Sequence, residues 1–521
     1  MTPADGHPRA AHASLLVRNT LLGAIQQAVG IGVGLVLTPL LLAYLGVEQY
    51  GVLLVVQILS VSGLLGVSDL GMQASLVRYL AGYQATGDLE RFRGSLATGF
   101  ALFIAIGVVC GLITLCLLYT VFFGLFHVPE TLRGPASSAL LVYASTFPFQ
   151  FAIYVLKAFY FAVGDFPRLK AWESIERVLY IGALAVLLTS GGGLVGVVLV
   201  EQAVTIGLAG IFAAIASRRY DMFTLDISRV SPERLREIAE LSRPLFLNYL
   251  ATQVVYQRAP ELITAALLGP VQVAYLGILT RVSRVLKAVG SAVNGAIFPA
   301  AAALDAQNLH EKLGRLLLRG GRYQYLLFTP LVVFLSYFAE ELLHVWVGER
   351  FTFLANLLRM FVMWQYVMLL TFLLRSAFTR SDQYWAVMGP AVAGSAVFLG
   401  LAVALTWVRQ DLWGIAVGLV VGAVVTVVGY LRFWSETEGF SLAEVWSVMM
   451  RGPVLLTGAG MYGFCALLGL WGSKPPVTVP YLGFVLVSAY AVHFGVVYRF
   501  GLSRMERRQF ADGLRRVGGW A

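Results

Sequence analysis

Fourteen apolar segments follow one another along the chain, near 16–44, 50–82, 94–123, 136–162, 171–190, 194–216, 243–268, 271–302, 322–345, 353–378, 384–407, 412–434, 453–471 and 478–500. A helix needs roughly 20 apolar residues to cross a bilayer, and short polar stretches separate these segments. With 521 residues, the spans leave no room for a large soluble domain. Charge is correspondingly scarce. Only 13% of residues are charged and 58% are hydrophobic, with a mean hydropathy of +0.77. Soluble proteins carry roughly 25% charged residues, so this chain could not cover a water-facing surface. A soluble enzyme, a disordered protein and a secreted disulfide scaffold are excluded. The fold class expected is an all-α polytopic membrane protein with about fourteen transmembrane helices.

The first apolar stretch is too long for a signal-peptide core and no small-residue cleavage site follows it, so a retained helix is expected. Lys and Arg then set the orientation. With fourteen spans both termini share a side, and 29 of the 38 basic residues fall on it, against five on the other and four deep within spans. The positive-inside rule places both termini in the cytoplasm. Basic residues distributed in this way mark a membrane protein and not a nucleic-acid partner. The connections on that side carry surface-helix signals. Ser231-Pro232-Glu233 sets an N-cap before Pro at the first helical position. Ser441 with Glu444, and Ser503 with Glu506, fit capping boxes. The tail SRMERRQFADGLRRV reads as a topology anchor able to lie against membrane lipids. The three cysteines, Cys110, Cys116 and Cys465, lie in apolar runs. They give no reason to expect a disulfide or a Cys-based metal site.

Residues 45–60, LGVEQYGVLLVVQILS, resemble 268–283, LGPVQVAYLGILTRVS, at an offset of 223 that matches Gly46 to Gly269 and Ser60 to Ser283. Six helices and a loop fill that offset. The expected organisation is an N-lobe over 1–216, a cytoplasmic linker helix over 217–242 and a C-lobe over 243–434. A further helix pair over 435–500 and a basic tail over 501–521 complete it. Repeated lobes suit alternating access around a central site.

Ionisable groups at depth cost roughly 2.5 kcal/mol or more on insertion scales and are functional candidates by default. The seventh segment holds Arg258 and Glu261; the eighth holds Arg281, Arg284 and Lys287. On a helical wheel, Arg281, Arg284, Lys287, Ser291 and Asn294 share an arc of about 140°. This stripe must face protein or a water-filled cavity. Its surplus of guanidinium groups would attract an anion, with phosphate the best geometric match; inter-helix ion pairing with Glu261, Asp69 or Glu201 is the alternative. On the first segment, Asn19, Gly23, Gln26, Gln27, Gly30 and Gly34 share about 100°. On the second, Gln57, Ser60, Ser68, Gly71, Ser75 and Arg78 share about 80°. These small and amide residues could line a cavity or serve close helix packing. Arg18 and Arg78 sit nearer the cytoplasmic mouth. Glu261, Asp69 and Glu201 are the candidate coupling or structural acids. The sequence contains no GxxxxGK[ST], no HExxH and no metal-spaced His/Cys cluster, so no catalytic residue, metal or cofactor is expected.

The run LTPLLLAYLGVEQYGVLLVVQILSVSGLLGVSDLGMQASLVRYLA, residues 37–81, resembles the opening of bacterial polysaccharide-biosynthesis flippases. The resemblance rests on Pro39, the LGxExYG-like run from Leu45 to Gly51, and Asp69-Leu70-Gly71 followed by Arg78. Residues 245–303 resemble the start of that family's second lobe. The family belongs to the multidrug/oligosaccharidyl-lipid/polysaccharide exporter superfamily, and the resemblance implies two MATE-like six-helix lobes. It further implies movement of an undecaprenyl-diphosphate-linked oligosaccharide (an O-antigen, capsule or exopolysaccharide repeat unit) across the bacterial inner membrane. A cationic cavity would receive the diphosphate. A proton or sodium gradient, or the membrane potential, would drive the cycle, and glycosyltransferases and a polysaccharide polymerase would be partners. One departure stands out. Where family members carry an acid midway along the seventh span, this chain reads YQRAPELITAALLG, with Arg258 near that place and Glu261 slightly later.

Two rival functions lie within transport: a peptidoglycan lipid-precursor flippase and a MATE-type multidrug cation antiporter. The second would need acids to dominate the interior. A membrane polysaccharide polymerase or ligase is the rival enzyme, and it would need a long outward loop that this chain lacks.

Overall fold

The computed structural model describes residues 8–60, 63, 72–224, 226–249, 255–307, 309–376, 384–438, 458–460, 462–463 and 478–501. Among the described residues the regular structure is entirely helical. The main helices are α1 (Pro8–Ile58), α2 (Met72–Thr86), α3 (Leu89–Thr120), α4 (Glu130–Ala162), α5 (Phe166–Thr189), α6 (Leu194–Arg219), α7 (Pro232–Tyr249) and α8 (Val255–Leu268). They continue as α9 (Pro270–Ala306), α10 (His310–Tyr337), α11 (Ala339–Val347), α12 (Ala355–Ser376), α13 (Tyr384–Arg409), α14 (Trp413–Glu438) and α15 (Val479–Val496). Eight helices in the described residues are long and apolar enough to cross a membrane, or nine if the bent pair α10–α11 is one span. The chain is a multi-pass membrane protein. Most of the expected segment 453–471, the capping boxes at Ser441 and Ser503 and the tail beyond Gly501 lie outside the described residues.

Two expected spans are broken among the described residues. The segment 322–345 bends by 73° between α10 and α11. Phe338 leaves helical geometry there (φ −93°, ψ 27°), and Glu340 and Glu341 open the next helix, where acids favour the positive end of the dipole. Of the segment 243–268, the described residues lie in α7 and α8. In the segment 50–82, α1 stops at Ile58 and the residues from Met72 onward lie in α2. Ser60 explains that stop: its hydroxyl donates to the Gln57 carbonyl at 2.8 Å and accepts from the Gly63 N–H at 3.1 Å. Gly63 packs on the carbonyls of Gln57 and Ile58, where a Cβ would collide. The helical wheel drawn through Gln57 to Arg78 therefore does not describe one continuous face.

The chain forms two compact units, Met1–Arg281 with Thr406–Leu412, and Val282–Leu405 with Trp413–Ala521. The sequence places its break in 217–242, whereas the structure assigns α8 and the start of α9 to the first unit. Glycines in close packing explain that assignment. Gly51 lies against the Pro270 backbone, and a Cβ on Gly277 would come within 2.6 Å of Leu54 and 3.4 Å of the Tyr50 hydroxyl. The two glycines matched at the 223-residue offset have one role. Gly46 (φ 74°) breaks α1 and Gly269 (φ 81°) separates α8 from α9, each as a single left-handed residue between helices. An L-residue in that conformation is strained by roughly 1–2 kcal/mol.

Elsewhere in the first unit, α3 and α4 meet through Gly107 and Gly111. A Cβ on either would stand within 2.6 Å of Pro148 or 2.7 Å of Ala144 backbone atoms, the small-residue contact that membrane helices use in place of hydrophobic burial. In the second unit, Gly418 and Gly422 of α14 pack equally closely on Ala402 and Phe398 of α13. There α15 docks on α10 by polar clips: His493 Nε2–H donates to Leu326 O at 2.6 Å and the Tyr490 hydroxyl donates to Leu327 O at 3.1 Å.

Candidate functional site

The charged residues singled out from the sequence do not share one environment. Arg258 on α8 pairs with Glu261 at 3.3 Å, one turn along the same helix. Arg78 is exposed on α2. Arg18 lies on α1, but its side chain, like all of Asp69, is outside the described residues. Arg284 is exposed and Lys287 half-buried on the part of α9 that belongs to the second unit. Ser291 and Asn294 follow on the same helix, with side chains outside the described residues.

Arg281 is different. It lies eleven residues into α9, about 17 Å along the helix at 1.5 Å per residue. Its Nη1 comes 3.5 Å from the position a Cβ would occupy on Gly34 of α1. The small-residue stripe on α1 thus leaves room for a guanidinium head. Tyr180 of α5 is within electrostatic reach of both Arg281 and Glu201. No ion pair to Arg281 is found among the described residues.

Glu201 on α6 is held by neutral donors. The Tyr143 hydroxyl donates to it at 2.7 Å and Gln57 also hydrogen-bonds to it. Gln57 is the last polar residue before α1 stops, so the interrupted backbone and this carboxylate share a polar knot in the first unit. Non-helical backbone at membrane depth is tolerated where protein or a cavity covers it. Next to the knot, Gln202 accepts from Thr146 at 2.9 Å and from Gln150.

Sequence reasoning missed a second group. Neither Lys157 nor Arg177 was among the charges singled out, and the fifth segment was started at 171. Helix α5 begins at Phe166, capped by Asp165, which accepts from the Arg168 N–H, with Pro167 in the first turn. These cap and proline signals were legible in DFPRLK, residues 165–170. The earlier start carries Arg177 eleven residues into the helix. There its Nη1 donates to Gln26 O of α1 at 2.8 Å, and its guanidinium fills the slot beside Gly30. Glu176 accepts from Thr205 at 2.9 Å and lies 3.8 Å from Lys157 Nζ. Lys157 also sits 5.2 Å from the centre of the Trp172 ring. Among the described residues no group of acids, His and Cys could hold a metal ion.

Another face of the same helices is apolar. A groove of about 210 Å³ between α3, α4 and α6, lined by Phe100, Phe149, Leu156, Ile206, Ala213 and Phe223 among others, presents no charged or polar side chain. It suits hydrocarbon and not a headgroup. The polar groups and the groove therefore occupy separate faces of α4.

Spans joined by matched glycine turns, with guanidinium groups well along several of them, define a polytopic membrane protein. The family model described as "Polysaccharide biosynthesis protein" matches residues 16–304, more than half of the chain, and the chain belongs to that family. No curated protein matches it. Among solved structures it is similar to the lipid II flippase MurJ in an inward closed conformation, at 12% identity and a TM-score of 0.67, covering 93% of this chain and 99% of that one. It is also similar to a multidrug resistance MATE family transporter of the MOP superfamily. The inward-facing form gives a TM-score of 0.63 at 16% identity, covering 79% of this chain and 94% of that one. The outward-facing form gives 0.57 at 16%, covering 81% and 95%. At these identities the likeness establishes the fold.

Proposed function

We propose that the protein is a flippase that moves a polyprenyl-diphosphate-linked oligosaccharide between the leaflets of the bacterial inner membrane by alternating access, with both termini cytoplasmic. The observation that carries the reading is Arg281. A guanidinium at mid-helix depth, with no ion-pair partner among the described residues, is expensive in an apolar setting, and an anionic ligand would repay that cost. Family membership directs the choice of anion towards an intermediate of polysaccharide synthesis. Arg284, Lys287, Arg258, Arg78 and Arg18 are secondary basic groups along the route. Glu201, Glu261 and Asp69 are the candidate coupling or structural acids, and a proton or sodium gradient or the membrane potential would drive the cycle.

Cells that depend on this protein for surface polysaccharide supply the test. Arg281→Ala is expected to abolish export, and Arg281→Lys to retain a fraction of it, because a lysine keeps the charge and loses the bidentate fork. Export at the normal level in Arg281→Ala cells would overturn the reading. MATE-type cation export is the second reading, favoured by the fold alone; the basic interior opposes it.

A further inference from the structure

We infer that the apolar groove between α3, α4 and α6 seats one acyl chain of an anionic phospholipid, whose phosphate meets Arg93 and Arg219 at the groove's end. The lipid is a resident of the membrane and not the transported molecule. From the flippase reading the inference takes only its orientation, which puts this end of the three helices at the cytoplasmic leaflet.

The groove has the depth of a single leaflet. Phe149 and Leu156 stand thirteen and six residues before the end of α4 at Ala162, and Ile206 and Ala213 stand as far before the end of α6 at Arg219. At 1.5 Å per residue the groove runs from about 9 to about 20 Å below that end, and a whole hydrocarbon core is about 30 Å thick. It also opens sideways. A Cβ on Gly210 would meet nothing within 4 Å, and Phe149 is 59% exposed at the rim. The headgroup end is built by a turn. Phe223 lies beyond α6 yet lines the groove, because its N–H donates to Tyr220 O at 2.9 Å and folds the chain back. Two guanidinium groups hold this turn. Arg93 Nη2 donates to Asp221 O at 2.8 Å, and Arg219 hydrogen-bonds to the Tyr220 hydroxyl. Arg93 stands seven residues before Phe100 of the groove, on the same face of α3 and about 10 Å nearer the headgroups. Neighbouring bases are engaged: Arg229 pairs with Glu90 and Asp226, and Arg168 with Asp165. Arg93 and Arg219 have no ion pair among the described residues, and a guanidinium has five N–H donors. With exposed Arg218, the turn holds three bases against one acid, Asp221. A phosphate suits that surplus, and a cationic choline does not.

The test is native mass spectrometry of the purified full-length protein in detergent, titrated with dioleoyl phosphatidylglycerol, dioleoyl phosphatidylcholine or decaprenyl phosphate. The wild type should retain phosphatidylglycerol over phosphatidylcholine by at least about fivefold, the discrimination one basic residue gives towards anionic lipid. R93Q keeps an N–H for Asp221 O and should lower that preference about fivefold. G210L fills the groove without meeting protein at its Cβ and should lose both phospholipids. G182L, at an equally open and exposed glycine on α5, should behave as the wild type. Retention by G210L at the wild-type level would overturn the seat in the groove. An unchanged preference in R93Q would overturn the headgroup contact. Decaprenyl phosphate held more tightly than phosphatidylglycerol, and lost in G210L, would give the groove to a polyprenyl chain and overturn the phospholipid. None of these outcomes involves Arg281, so the flippase reading stands or falls on its own export test.

Discussion

The attachment of α15 to α10 depends on one proline. Pro330 has no N–H, so the carbonyl four residues earlier, Leu326 O, loses its helical donor. His493 supplies a replacement from α15 at 2.6 Å. Because a carbonyl only accepts, Nε2 carries the proton, and Nδ1 is a buried nitrogen with no hydrogen-bond partner among the described residues. Inter-helix hydrogen bonds in membranes average about 0.6 kcal/mol and reach about 1.7. Here the carbonyl has no alternative donor within its helix, so His493→Ala should cost the upper part of that range, with a cavity penalty in addition. The reasoning is tested by a double-mutant cycle on thermal unfolding in detergent. Pro330→Ala restores an N–H to pair with Leu326 O, so the cost of His493→Ala should fall in that background by about 1 kcal/mol, a coupling typical of directly interacting residues. Additive effects of the two substitutions would refute the account.

Other consequences can be checked by the same unfolding assay. Gly46→Ala and Gly269→Ala should each destabilise by about 1–2 kcal/mol, because both glycines are left-handed and an added Cβ strains that conformation. Gly51→Ala should cost more than Gly23→Ala, since only Gly51 has backbone, that of Pro270, where its Cβ would go. Tyr143→Phe should cost about 1 kcal/mol by removing the 2.7 Å donor to Glu201. Asp165 gives a pH dependence: burial pushes its carboxyl up, but hydrogen bonds from Tyr220 and Arg168 outweigh that and hold it below the usual range. A carboxyl depressed in the folded state contributes stability above its unfolded pKa of about 3.9 and loses it as pH falls through the folded value. Asp165→Asn should therefore lower stability at pH 7 and flatten its decline below about pH 4.

The sequence by itself determined the class of fold and its punctuation. Scarce charge and repeated apolar segments of spanning length leave a helical membrane protein as the outcome, because lipid offers the backbone no hydrogen-bond partners. Gly46 and Gly269 could be matched because a positive φ between two helices selects glycine strongly enough to leave a trace at both places. The depth of Arg281 was also legible, since distance along a helix is a count of residues. Tertiary structure alone decided which charges are spent. Arg258 and Glu261 were visible as neighbours, but whether their side chains meet depends on rotamers and surroundings. Arg177 was not singled out, because its contact with Gln26 joins positions 151 residues apart. The glycines of α1 could equally have been close-packing contacts or cavity lining. They are notches for arginine heads because α5 and α9 deliver their side chains there, a matter of packing between helices that periodicity within one helix does not contain.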